Sequence, residues 1–110
     1  MTLLHTEVAV VGGGMVGGAL ALGLAQQGFE VTVIEQAAPP AYDPTSKPDV
    51  RISAISAASV DLLRGLGVWE AVLDMRAHPY SRLETWEWEN AHVAFDAAEL
   101  KLPRLGYMVE

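Results

Sequence analysis

The feature that most constrains the fold is a glycine run set between two short β-branched segments. Thr6–Val11 (Thr-Glu-Val-Ala-Val-Val) is rich in β-branched residues and ends at the glycines, which predicts a strand buried on both faces of a parallel sheet. Gly12-Gly13-Gly14-Met15-Val16-Gly17 fits G-x-G-x-x-G, with Gly18 as a further small residue. From Met15 to Gln27 the apolar residues Val16, Leu20 and Leu24 recur every four positions and predict one helical face. Gly28 supplies the left-handed residue that commonly follows a helix. Phe29–Glu35 (Phe-Glu-Val-Thr-Val-Ile-Glu) predicts a second strand, so the unit is β-α-β and about 30 residues long.

Each position has a physical task. Gly12 permits the tight turn off the strand, Gly14 lets a pyrophosphate approach the backbone, and Gly17 lets the helix pack closely on the sheet. The helix N-terminus offers free N–H groups and a partial positive charge to phosphates. Glu35 follows at roughly the 20-residue distance of a ribose-binding acid, where a carboxylate accepts from the 2′- and 3′-hydroxyls. It would repel a 2′-phosphate, which favours FAD or NAD over NADP in this pocket. The motif does not separate FAD from NAD.

The composition agrees with a globular domain: 110 residues, 51% hydrophobic and 19% charged. A net charge of −7 argues against nucleic acid, which needs clustered Lys and Arg. With no cysteine there is no disulfide, thiolate metal site or cysteine nucleophile, and His5, His78 and His92 lack metal-ligand spacing. No metal and no catalytic residue is assigned. No basic residue precedes Lys47, so no secretory n-region is present. Val8–Phe29 is 22 residues without a charge, about the length of a membrane span. Its glycines, each costing a helix about 1 kcal/mol against alanine, favour strand, turn and helix instead.

Gln36–Val50, with Pro39, Pro40, Pro44 and Pro48, predicts a loop of about 15 residues. Ser53 or Ser56 is placed to cap a helix, on which Ser59, Leu62, Leu63 and Leu66 continue a face begun at Ile55. Trp69, Val72, Leu73 and Arg76 predict a second short helix, stopped by Pro79, with Trp69 in the core. Beyond Pro79 the period changes. Arg82–Glu89 alternates as a strand with Trp86 and Trp88 on one face. His92–Asp96 predicts its partner strand, and Gly106–Glu110 a third.

Val10–Ala21, Asp49–Ser56 (Asp-Val-Arg-Ile-Ser-Ala-Ile-Ser) and Leu66–Trp69 resemble the flavin-dependent aromatic hydroxylases of ubiquinone biosynthesis, and His78-Pro79-Tyr80 with Leu83–Glu89 extends the resemblance over the whole chain. It implies an α/β fold: the Rossmann-like FAD-binding βαβ start of a group A flavoprotein monooxygenase, followed by the first antiparallel strands of a substrate domain. The expected division is residues 1–79 for the FAD-binding part and 80–110 for the substrate-binding sheet. The implied cofactor is FAD, reduced by NAD(P)H, and the implied reaction is hydroxylation of the ring of a prenylated demethoxyubiquinol by O2. Gly12, Gly13, Gly14, Gly17 and Glu35 then match the dinucleotide site. From the residues alone Arg51 reads as a surface ion pair with Asp49 or Asp61. The resemblance places it beside the FAD instead. Family members are several times longer, which implies an N-terminal portion whose activity belongs to the longer protein. Other ubiquinone-biosynthesis proteins are implied partners, and the implied location is cytoplasmic, peripheral at the inner face of the membrane. A sister hydroxylase acting at another ring position, a nicotinamide-dependent dehydrogenase and a non-catalytic dinucleotide-binding module are the alternatives. The change to strands after Pro79 argues against the dehydrogenase.

Overall fold

The computed structural model describes residues 2–110. They form two compact units, one ending at Ala41 and the other spanning Tyr42–Glu110.

In the first unit β1 (Val8–Val11) lies parallel to β2 (Val31–Ile34), in register from Val8↔Val31 to Val11↔Ile34, and α1 (Met15–Gln26) joins them. Both strands begin later than the sequence predicts. The side chains of Thr6 and Glu7 take up the Glu30 backbone groups there: the Thr6 hydroxyl donates to the Glu30 carbonyl at 2.9 Å, and the Glu7 carboxylate accepts the Glu30 N–H at 2.8 Å. α1 stops as its sequence directs. Gly28 takes φ +96°, its N–H donates to the Ala25 carbonyl at 3.0 Å, and the Phe29 N–H donates to that of Leu24 at 3.2 Å. This is the paired closure of a Schellman motif.

The predicted Val16–Leu20–Leu24 face is not the one α1 packs with. Val16 is 83% and Leu20 53% exposed, whereas Ala21 is the buried residue of the helix. The cause is distance. A Cβ on Gly17 would stand 1.9 Å from the Gly12 carbonyl oxygen, so the face that approaches the strand end has room only for small residues.

The second unit centres on β7 (Gly106–Val109), which pairs antiparallel with β3 (Ser53–Ser56) on one side and β4 (Ala77–Tyr80) on the other. Gly106 is required at this crossing, because a Cβ would meet the Ile55 carbonyl oxygen at 2.1 Å. Ser53 lies in β3. Ser56 is the cap of α2 (Ala57–Gly65), its hydroxyl accepting the Ser59 N–H at 3.3 Å. The face that α2 buries is led by Val60, not by the predicted Ser59 and Leu62; Leu62 is exposed. α3 (Trp69–Leu73) follows, with Trp69 fully buried and edge-on to the Tyr107 ring at 5.0 Å between centroids.

Pro79 does not stop a helix. α3 ends earlier, and Pro79 lies inside β4 opposite Tyr107. β4 pairs only with β7, and an edge strand tolerates a residue that has no N–H to donate.

β5 (Arg82–Trp88) and β6 (Ala91–Asp96) form a separate antiparallel hairpin, and a 3-10 turn (Ala97–Leu100) follows. A bulge pairs Trp86 with His92 but Trp88 with the adjacent Ala91. The alternation that would hold both indoles on one face is therefore interrupted.

Candidate cofactor-binding site

The first unit places four glycines and one acid at the end of its parallel strand pair. Gly12 leaves β1 with φ +99°, a conformation open to glycine, and its N–H donates to the Ile34 carbonyl at 2.8 Å. Gly13 follows, and its N–H donates to the Glu35 carboxylate, just past β2. Gly14 is the N-cap of α1. It brings no side-chain cap, and the first turn of the helix carries no acidic residue. The earliest helical amide bond here runs from the Gly18 N–H to the Gly14 carbonyl at 2.8 Å. The amides ahead of it have no intrahelical acceptor, as at any helix start, and the partial positive charge of the helix end collects there.

This geometry fits a pyrophosphate. A Cβ built on Gly14 meets nothing within 4 Å, so the backbone lies open on the side a phosphate would approach. Gly17 answers a different demand, the close approach of α1 to the Gly12 carbonyl. An open apolar groove beside the turn is lined by Val10, Val11, Met15, Val16 and Leu20.

Glu35 has a second job that the sequence did not suggest. Besides the Gly13 amide, its carboxylate accepts the N–H groups of Gln36 at 2.9 Å and Ala37 at 3.4 Å. The bond from Gly13, followed by those from Ala37 and Gln36, holds its pKa below the ordinary 4.5. The charged acid thus ties the end of β2 to the glycine turn. No local signal in the sequence marks this bond, since it joins residues of two different strand ends.

Arg51 belongs to the second unit, in the stretch leading into β3. The surface ion pairs that the residues alone suggested do not form. Asp61 pairs with Arg64 at 3.3 Å, and Asp49 accepts the Arg51 backbone N–H at 3.1 Å. Among the described residues no carboxylate pairs with the Arg51 guanidinium. His92 is engaged by Glu84, which also holds Arg82 at 3.2 Å.

A parallel β-α-β unit with a glycine turn, a helix start without a side-chain cap and an acid closing the second strand defines a dinucleotide-binding protein of the Rossmann-like class. The chain belongs to the FAD binding domain family, which matches residues 5–106, and FAD is accordingly its dinucleotide. It is 76% identical over 110 residues to the 3-demethoxyubiquinol 3-hydroxylase of Escherichia coli (strain K12), covering 100% of this chain and 28% of that protein. It is 32% identical to the mitochondrial ubiquinone biosynthesis monooxygenase COQ6 of Danio rerio, over 94% of this chain and 22% of that one. The chain therefore spans about a quarter of the length of these relatives. Among solved structures it is similar to the peptidyl tryptophan dihydroxylase QhpG, essential for tryptophylquinone cofactor biogenesis, with a TM-score of 0.52, 19% identity, and coverage of 96% of this chain and 20% of that one. That likeness concerns the fold alone.

Proposed function

We propose that this chain is the FAD-binding start of a monooxygenase that hydroxylates the ring of a demethoxyubiquinol intermediate in ubiquinone biosynthesis. The observation that carries the reading is 76% identity, unbroken over all 110 residues, to a protein named for that reaction. The lower identity to the COQ6 relatives makes a sister hydroxylase, acting at another ring position, the weaker reading.

In this reading the amides at the start of α1 and the backbone at Gly12, Gly13 and Gly14 receive the pyrophosphate, while Gly17 keeps the helix close enough to present them. Glu35 accepts from the ribose hydroxyls while holding the Gly13 amide. Arg51, whose guanidinium pairs with no carboxylate among the described residues, is assigned to the cofactor by the resemblance of Asp49–Ser56 to the family. Bound FAD supplies the redox chemistry of the overall reaction, in which a ring C–H, O2, NAD(P)H and a proton give a ring C–OH, water and NAD(P)+. The β5–β6 hairpin contributes the first strands of the substrate sheet. A prenylated quinol partitions into lipid, which supports a cytoplasmic protein working at the inner face of the membrane, beside other ubiquinone-biosynthesis proteins. Among the described residues no helix is long and apolar enough to cross a membrane.

The test uses the full-length protein. Released cofactor is identified by chromatography, and the product formed from a demethoxyubiquinol analogue is identified by mass spectrometry. FAD together with a singly hydroxylated ring is the expected result. FMN, no flavin under several purification conditions, or hydroxylation at another position of the ring sinks the reading.

A further inference from the structure

Gly13, the middle glycine of the turn, is not explained by the demands that fix its neighbours. Gly12 takes φ +99°, Gly14 has open space where its side chain would be, and Gly17 faces the Gly12 carbonyl. Gly13 does not take a left-handed conformation. Its constraint comes from Glu35. A Cβ on Gly13 would stand 3.2 Å from Glu35 Oε2, 3.4 Å from Glu35 Cβ and 3.4 Å from Val33 Cγ1. The side chain that crowds this position is also the one that takes its N–H, through the same Oε2. Glu35 therefore folds back onto the turn.

The two oxygens of Glu35 serve different segments. Oε2 holds Gly13, while Oε1 accepts the Gln36 and Ala37 N–H groups at 2.9 and 3.4 Å. A carboxylate offers about four lone-pair sites, so most are engaged before any ribose arrives. One residue earlier, the Gly12 N–H donates to the Ile34 carbonyl at 2.8 Å and carries the β1–β2 pairing into the turn. Beyond Gly13 the chain enters α1 through Gly14, which brings no side-chain cap. The bond from Gly13 to Glu35 is thus the last tie to β2 before the amides that face a phosphate. Donors held in place before a ligand arrives bind it more tightly than donors the ligand must itself order.

We propose that Glu35 is a positioning residue for the pyrophosphate of FAD: through Gly13 it fixes the start of α1, an effect separate from any contact with the ribose, and Gly13 is glycine so that the carboxylate can reach its amide. The inference rests on the assignment of the glycine turn to FAD made above. The test uses the full-length apoprotein and two ligands, FAD and an FAD analogue whose adenosine lacks the 2′- and 3′-hydroxyls. Affinity is read by titration of flavin fluorescence, and the turn by hydrogen exchange at Gly13, Gly14 and Met15. In Glu35→Ala, exchange at these amides is expected to rise while β1 and β2 keep their protection. The dissociation constant for the dideoxy analogue should rise about tenfold, the scale of one charge-assisted hydrogen bond, and that for FAD by more. Gly13→Ala displaces the carboxylate without removing it. It should weaken both ligands, and it should add no loss to Glu35→Ala, where no carboxylate is left to displace. If Glu35→Ala does not fold, Glu35→Gln keeps the shape without the charge and is read in the same way. Unchanged affinity for the dideoxy analogue with weakened FAD shows that Glu35 acts through the ribose alone and overturns the inference, while the FAD assignment stands. Unchanged exchange at the turn, or unchanged affinity for both ligands, also overturns it. Additive losses in the double variant overturn the reason given for Gly13. A parent protein that binds no FAD removes the cofactor assignment and this inference together.

Discussion

Gly14 and Gly17 sit three residues apart in one motif, yet they answer to different physics. Gly14 has φ −73°, which any residue adopts, and open space where its side chain would be. Gly14→Val should therefore leave the fold intact and abolish flavin retention, seen as an unchanged far-ultraviolet circular dichroism spectrum with loss of flavin absorbance per protein. Gly17 faces backbone, since its Cβ would lie 1.9 Å from the Gly12 carbonyl oxygen. Gly17→Ala should destabilise the protein by about 1–3 kcal/mol, the usual cost of forcing extra volume into a tight contact. Urea titration checks that value. Glu35 adds a pH dependence. Its pKa is lowered in the folded state, chiefly by the Gly13 amide, so its contribution is fully present above the ordinary 4.5 and is lost as pH falls through the lower folded value. Glu35→Gln should remove that part of the acid limb of a stability–pH profile. An unaltered acid limb would show that the bond to Gly13 is absent in solution.

Trp69 ties α3 to the central strand of the second unit. It is the largest fully buried side chain of the described residues and meets Tyr107 of β7 edge to face. Trp69→Ala should cost about 3–5 kcal/mol, because the lost transfer energy adds to the cavity left behind. A matched denaturant series on the full-length protein measures it. Neighbouring α2 shows why this contact matters so much: Val60 is the one buried residue of that helix, so little else can compensate. The β5–β6 hairpin stands at the other extreme. Every residue of β5 is exposed, and the hairpin is held by its ladder and by the side-chain contacts that run from Asp96 through Arg82 and Glu84 to His92. A hairpin of this kind is marginal in water without a covering layer.

Taken as one molecule, these 110 residues have little core. Among the described residues Val10 and Ala21 are the buried apolar ones of the first unit, and Val60, Trp69 and Ala97 those of the second. The parallel pair β1–β2 is a two-stranded sheet, although parallel strands are normally covered on both faces. Val11, Val16, Leu20 and Ile34 remain exposed around it. Fully burying one such side chain contributes roughly 1.5–3 kcal/mol, against a total stability of about 5–15 kcal/mol for an ordinary domain. The isolated 110-residue chain is therefore expected to associate or to melt without a sharp transition, and to bind FAD weakly. Size-exclusion chromatography with a thermal melt and an FAD titration tests this. A monomer with a cooperative melt and tight stoichiometric FAD binding would contradict it.

The β-α-β unit was legible in the letters because its signals are local. A β-branched run, glycines at set spacing, and Gly28 as helix stop each act within a few residues, and the structure repeats them with small shifts of boundary. Ser56 as a cap and Trp69 as core were legible for the same reason. Other features depend on residues brought together from afar. Periodicity finds the apolar stripe of α1, but only the distance between helix and strand decides that Gly17 and Ala21 face inward while Val16 and Leu20 stay out. Pro79 signals a helix stop locally, yet an edge position beside β7 accommodates it in a strand. The bond from Gly13 to Glu35 and the clasp of Arg76 on Ser46 and Glu110 join positions more than twenty residues apart. No local pattern encodes such pairings, because each exists only once the chain has closed and brought the partners together.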